Sequence, residues 1–209
     1  MRKFTFILLL LAISALSIAQ QTISMDDYVD KKTPNDDQEI QTLMNSFEIK
    51  RISGFGGPTM SFTTINDEFA FMMGGGGGVI INNLFLGGYG EGLSNTLNPD
   101  AENDIRNLEF EHGGFWVGYE FAHQRMIHPV LSTRIGWGNI KVNKENQGLT
   151  DNVFVIVPTV SAEINFTHFF KVNVGAEYRK TFNVNVIEGL NNNDFSNVGV
   201  YMNFIFGWF

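Results

Sequence analysis

No cysteine occurs in the 209 residues, so the chain has no disulfide framework and no cysteine to carry a lipid anchor. After residue 19 no apolar run approaches the roughly 20 residues that a membrane-spanning helix requires, so any passage through a bilayer must be made by strands. Cations are also scarce: 14 Lys and Arg stand against 22 Asp and Glu, for a formal charge of −8. Nucleic acid is recognised through clustered Lys and Arg, and the acidic balance argues against it as a partner.

Three stretches of the chain differ in character. In the first, Arg2 and Lys3 precede the uncharged run Phe4 to Ile13, and Ser17-Ile18-Ala19 supplies small residues, the pattern of a secretory signal peptide over residues 1–19. Export by the Sec pathway and cleavage after Ala19 are expected, and the loss of two cations leaves the mature chain more acidic still. Residues 20–48 form a short acidic segment with Asp26, Asp27, Lys31, Lys32, Asp36, Asp37 and Glu39. It reads as a periplasmic linker. Within it Ile40, Leu43, Met44 and Phe47 recur at i, i+3, i+4 and i+7, and Asn35 stands where it can cap a short amphipathic helix. Such a stripe can close a barrel mouth, dock on a partner or fray on the rim.

From residue 49 to 209 the chain is rich in glycine and phenylalanine, with 22 and 20 in the whole sequence, a mix that favours sheets and turns. Eight strand-like segments are predicted, at 49–63, 69–81, 84–93, 107–121, 129–142, 153–166, 169–181 and 197–209. Period two is clearest in the seventh, where Phe170, Val172, Val174, Ala176 and Tyr178 alternate with Lys171, Asn173, Gly175, Glu177 and Arg179. The connections alternate in length. Short ones fall at 82–83, 122–128 and 167–168, long ones at 94–106, 143–152 and 182–196, and 64–68 is short where a long one is due. Alternation alone does not say which face is inside. A soluble lipocalin-like barrel has the same period with the faces reversed, while the loop asymmetry and the strand-end aromatics Trp137, Tyr178, Tyr201 and Trp208 favour a membrane barrel.

On these residues the chain from 49 to 209 resembles the small outer-membrane β-barrel proteins of Gram-negative bacteria. The most specific element is the end, Tyr201-Met-Asn-Phe-Ile-Phe-Gly-Trp-Phe209. Members of that group end on an aromatic residue, usually Phe, in a strand that the barrel-assembly machinery recognises, and Phe209 takes that place. Its register is that of Asn203 and Gly207, one step from the apolar series Val198, Val200, Met202, Phe204, Phe206 and Trp208. Phe55-Gly-Gly-Pro58 and Gly74 to Gly78 also look like exported barrels of this type, without pointing to an activity. The resemblance implies an all-β, antiparallel, up-and-down transmembrane barrel of about eight strands, located in the outer membrane. Outer-membrane lipid and the barrel-assembly machinery are its implied partners, and a monomer without a cofactor is expected.

In a membrane barrel the face carrying Arg51, Glu120, Arg134, Glu163, Lys171, Glu177 and Arg179 turns inward. An eight-stranded lumen is only wide enough to be filled by side chains, so these groups are expected to pair and plug it.

Other constellations carry less chemistry. Gly74 to Gly78 has no Lys-Ser or Lys-Thr after it, unlike a phosphate loop, and reads as a device for curvature. Asp100, Glu102 and Asp104, with Glu111 at the twelfth place, suggest a calcium loop, but Ile105 sits where the sharp turn needs glycine. His112 with Glu109 or Glu111 could serve a lipid-modifying enzyme as general base, with Ser94 or Ser132 as nucleophile; no Gly-x-Ser-x-Gly elbow accompanies them. His123, His128 and His168 fall in short turns and read as residues of a solvated rim. The expected function is non-enzymatic, with the long polar surface loops serving adhesion, surface interaction or envelope maintenance. An envelope lipid-modifying enzyme and a narrow conduit for small solutes are the alternatives.

Overall fold

A computed structural model describes residues 49–97, 105–144, 147–187 and 189–209. The expected signal peptide, the acidic segment 20–48 and the candidate metal residues Asp100, Glu102 and Asp104 lie outside the described residues.

The alternating segments form β1 (Ile52–Ile65), β2 (Glu68–Ile81), β3 (Leu84–Leu93), β4 (Ile105–Glu120), β5 (Ile127–Lys144), β6 (Gln147–Asn165), β7 (Phe170–Tyr178), β8 (Lys180–Phe182) and β9 (Val198–Gly207). From β1 to β7 each pairs antiparallel with the next, β7 and β8 both lie along β6, and β9 pairs with β7 and returns to β1. β7 and β8 are thus two pieces of one strand, interrupted at Arg179. The ring closes as an up-and-down barrel with eight strand positions, and closure satisfies ladder groups that an open sheet would leave at its edges.

Polar residues are inside and apolar residues outside. Along β7, Lys171, Asn173 and Glu177 are buried while Val174, Ala176 and Tyr178 are exposed. In β9 the buried set is Gly199, Tyr201, Asn203 and Ile205, and Val198, Val200 and Phe206 face out. Phe115, Leu131 and Val160 extend the outer belt, each more than half exposed. This is the reverse of the lipocalin-like arrangement.

Three short connections, Asn82-Asn83, residues 121–126 and residues 166–169, share a rim with the start of β1 and the end of β9. Asn82 holds a left-handed φ of 56°, and its side-chain oxygen accepts the N–H groups of Lys50 and Arg51, tying the start of β1 to that turn. At the far rim Asn66 and Asp67 turn β1 into β2 with φ of 49° and 64°, the paired positive values that a tight hairpin demands.

Two expectations about the far rim need correction. Residues 143–152 are not a long loop: β5 and β6 stay paired as far as Lys144↔Gln147. Val142 and Val153 are buried on the inner face, and their alternation continues the strand period through a stretch whose Asn, Lys and Gly content suggests a loop. The segment 183–197 is long, and its described residues fold over the mouth. Val184, Ile187, Leu190 and Phe195 are buried against Ile65, Met72, Leu97, Leu108, Phe110 and Ile140. Asp151, itself buried, accepts the backbone N–H groups of Asn185, Val186 and Ile187 and fixes the start of this cap. Burial of four large apolar side chains at about 1.5–3 kcal/mol each outweighs what any one of these hydrogen bonds contributes.

Close packing inside the barrel explains one glycine directly. Gly118 points inward between Phe85 and Ser132, and an added Cβ would overlap both side chains. Gly118→Val is expected to lower the denaturant midpoint of the detergent-folded protein by the equivalent of about 1–3 kcal/mol. Gly90→Ala, at a site where a Cβ meets nothing within 4 Å, should leave it nearly unchanged; similar losses in both would contradict this packing.

Candidate functional site

The functional groups that the barrel gathers lie in its lumen, in two tiers below the apolar cap. Inward alternation on four strand positions brings the middle tier together: Glu91 from β3, His112 from β4, Arg134 from β5, and Glu177 with Arg179 from β7 and the residue after it. Arg134 is the hub. One arm of its guanidinium donates to Glu91 Oε2 at 2.6 Å and the other to the Glu177 carboxylate. Arg179 Nη2 approaches Glu177 Oε1 at 3.4 Å and Glu91 Oε1 at 3.7 Å, and His112 Nε2 lies 3.1 Å from Glu91 Oε1. Tyr201 and Tyr89 flank the Arg134 guanidinium, their ring centres 4.9 and 5.5 Å from it. All these side chains are buried.

The lower tier lies near the rim of the chain's C-terminal strand. Arg51 Nη1 donates to Glu120 Oε2 at 3.1 Å. Lys171 Nζ donates to Glu163 at 2.6 Å and to Glu120 at 3.3 Å, and His128 Nε2 lies 3.2 Å from Glu163. Carboxylate oxygens of Glu120 and Glu163 and a ring nitrogen of His128 come within 4.8 Å of one another, a grouping with metal-ligand composition. The Lys171 ammonium already lies between the two carboxylates, where a metal cation would compete with it, so the donor set favours an internal ion pair. Phe209 stands beside this tier and lines a cleft of about 600 Å³ with Arg51 and Lys171. Its ring centre sits 4.1 Å from Lys171 Nζ, and its N–H donates to the His168 carbonyl. Trp208 is the residue that faces out.

The seven residues of the expected inward face all lie in this lumen, Arg51 at its mouth and the other six buried. The grouping of His112 with Glu109 and Glu111 is not formed. Period two sends the two glutamates to the outer surface and His112 inward, where its partners are Glu91 and the Tyr89 hydroxyl at 3.0 Å. Ser94 is exposed beyond the end of β3, and Ser132 is buried in the wall beside Phe85. His128 is not a rim residue: β5 begins at Ile127, two residues before the predicted start, and carries it inside. His123 does belong to a turn. Burial and the nearby Arg51 lower its pKa, and in the neutral state its Nδ1 accepts from Asn83 Nδ2 at 3.1 Å. Sequence reasoning missed Glu91 and Tyr89, although alternation from Phe85 through Gly87 places both on the inner face.

This arrangement holds charge in paired groups, and the hydroxyl–imidazole–carboxylate run that it contains, Tyr89 to His112 to Glu91, is buried with them. A buried pair is a weak source of net stability, yet removing one partner leaves the other charge stranded. Arg134→Ala is therefore expected to lower folding stability by about 3–5 kcal/mol, read as the denaturant midpoint in detergent micelles. Arg134→Lys keeps the charge and should cost less. An Arg134→Ala protein as stable as wild type would remove the hub assignment.

No protein-family model matches the chain, and no curated protein matches its sequence. Among solved structures, Neisserial surface protein A superposes with a TM-score of 0.52 at 15% identity, covering 75% of this chain and 96% of that one. Ail, the attachment invasion locus protein of Yersinia pestis, superposes with a TM-score of 0.46 at 13% identity, covering 75% of this chain and 97% of that one. The likeness to Neisserial surface protein A shows a shared fold, that of the eight-stranded outer-membrane β-barrels.

Proposed function

We propose that the chain is a non-enzymatic outer-membrane protein whose barrel is plugged and whose far rim serves interaction at the cell surface. The single observation that carries this reading is the division of labour between faces. Arg134, Glu91, Glu177 and Arg179 fill the middle of a lumen already capped by residues 183–197, while Phe115, Leu131, Val160 and Val198 cover the outside. Such an outer belt suits lipid, and a lumen so filled suits neither a pore nor a substrate tunnel.

At the far rim the β5–β6 hairpin runs on past Trp137↔Phe154 to Lys144↔Gln147, while β8 leaves β6 at Phe154. Among the described strands none pairs with the second edge of β6 between Gln147 and Val153. The N–H and C=O groups of such an edge are a template for an extended segment of a partner. Insertion by the barrel-assembly machinery through β9 and Phe209, after Sec export, belongs to the same reading.

Two measurements test it. Val160→Arg, midway along the apolar outer series of β6, should lower stability in lipid vesicles by about 2–4 kcal/mol; an unchanged midpoint would contradict lipid contact. Replacing residues 141–150 with an Asn-Gly turn should leave the protein heat-modifiable and in the outer membrane while abolishing the adherence it confers on cells over epithelial monolayers. Adherence equal to wild type would move the surface role away from the hairpin.

A further inference from the structure

Two clefts open on the outer face of the barrel, one on each side of Trp137. Cross-strand rows locate them. One row runs through Gly75, Gly90, Gly113, Trp137, Phe154 and Phe182, and the next toward the far rim through Met73, Gly92, Glu111, Asn139 and Asn152. The first row ends the apolar belt in aromatic rings, and the second begins the polar rim. The first cleft, about 490 Å³, has Gly90, Gly92 and Gly113 as its floor, Trp137 as a wall and Glu111 with Asn139 at its polar lip. Its neighbour, about 440 Å³, shares Trp137 and Asn139 and adds Phe154, Asn152 and Asn183.

Packing within the barrel accounts for one of the floor glycines, since a Cβ at Gly113 would press on the Tyr89 carbonyl at 2.9 Å, but not for the other two. A Cβ at Gly90 would meet no atom within 4 Å, and at Gly92 its nearest contact would be an ordinary 3.6 Å. The barrel has room for side chains at both positions, and a side chain there would occupy the cleft. A cleft spanning the aromatic row and the polar row is apolar at one end and polar at the other, so it fits an amphiphile lying along the membrane normal. The polar end favours hydroxyl groups over phosphate. Lys141 above it is already paired with Glu111 at 3.3 Å, so an anionic headgroup would meet a neutralised cation and a carboxylate. Trp137, 61% exposed, offers a flat ring face, and Asn139 and Asn152 offer amide donors and acceptors.

We propose that the Trp137 clefts bind an outer-leaflet glycolipid, with its sugar against the indole and the amides and an acyl chain along the glycine floor. This rests on the outer-membrane reading above.

Native mass spectrometry of the full chain released from zwitterionic detergent tests it, with a single-chain alkyl maltoside as probe and an alkyl phosphocholine of equal chain length as comparison. Saturable binding of the maltoside is expected, with the phosphocholine at least about tenfold weaker. Gly90→Leu, which fills the floor, should weaken maltoside binding about tenfold while heat-modifiable migration is retained. Gly90→Ala, the smaller intrusion, and Asn139→Ala, a surface change at the lip, should each weaken it less, so the test does not depend on one variant folding. Equal affinity for the two probes, or undiminished binding in all three variants, would overturn the glycolipid assignment and leave the membrane reading intact. Recovery of the protein from the periplasm without detergent would overturn both.

Discussion

Ionised side chains on the inner faces of a narrow closed sheet must find one another, and the rest of this barrel is arranged around that requirement. Each strand alternates, so one face of every strand is committed to the lumen. With Glu91, Glu177, Arg134 and Arg179 meeting in the middle and Glu120, Glu163, Arg51 and Lys171 nearer one mouth, positive and negative groups are balanced within each tier. A register slip on β3, β4, β5, β6 or β7 would turn its charge outward and leave a partner stranded inside, at several kcal/mol for the buried ion. The ion network therefore specifies register, and hence which residues form the outer belt, more than it adds net stability.

The two mouths are built differently. At the far rim the closure is apolar, with Val184, Ile187, Leu190 and Phe195 folded onto the upper inner wall and Asp151 holding the start of the segment by backbone N–H groups. At the other rim a cation is held over an aromatic ring, Lys171 on Phe209, and the two line a cleft of about 600 Å³ together with Arg51 and His168. The terminal residue faces inward while Trp208 faces out. Its register, one step from the apolar series, reflects a side chain that belongs to the lumen's lower tier.

Much of this was legible in the sequence, and the reason lies in period two. Where alternation is strict, as from Phe170 to Tyr178, strand, face and inward charge all follow from one pattern. It failed in three places, each for a physical reason. Residues 143–152 carry Asn, Gly and Lys, which mark loops when a strand is half-buried, but above the aromatic row both hairpin faces have different neighbours and polar residues are tolerated in strands. In 183–196 the apolar residues have no regular spacing, because they pack as a cap and not as an element, so composition alone suggested a polar loop. Glu91 sits among glycines in Gly87-Gly-Tyr-Gly-Glu-Gly92, where few side chains are present to display the alternation that places it inside. The middle tier's hub, Arg134, and one of its two carboxylate partners, Glu177, were visible, and the other, Glu91, was not.

The absence of cysteine gives the most direct test of which face meets lipid. Single cysteines introduced in turn at residues 172 to 177, spin-labelled and reconstituted in vesicles, report collision with oxygen dissolved in the bilayer. The account predicts oxygen access that oscillates with period two, high at Val172, Val174 and Ala176 and low at Asn173 and Glu177. The opposite phase, or access by a water-soluble relaxant at the Val174 set, would contradict it.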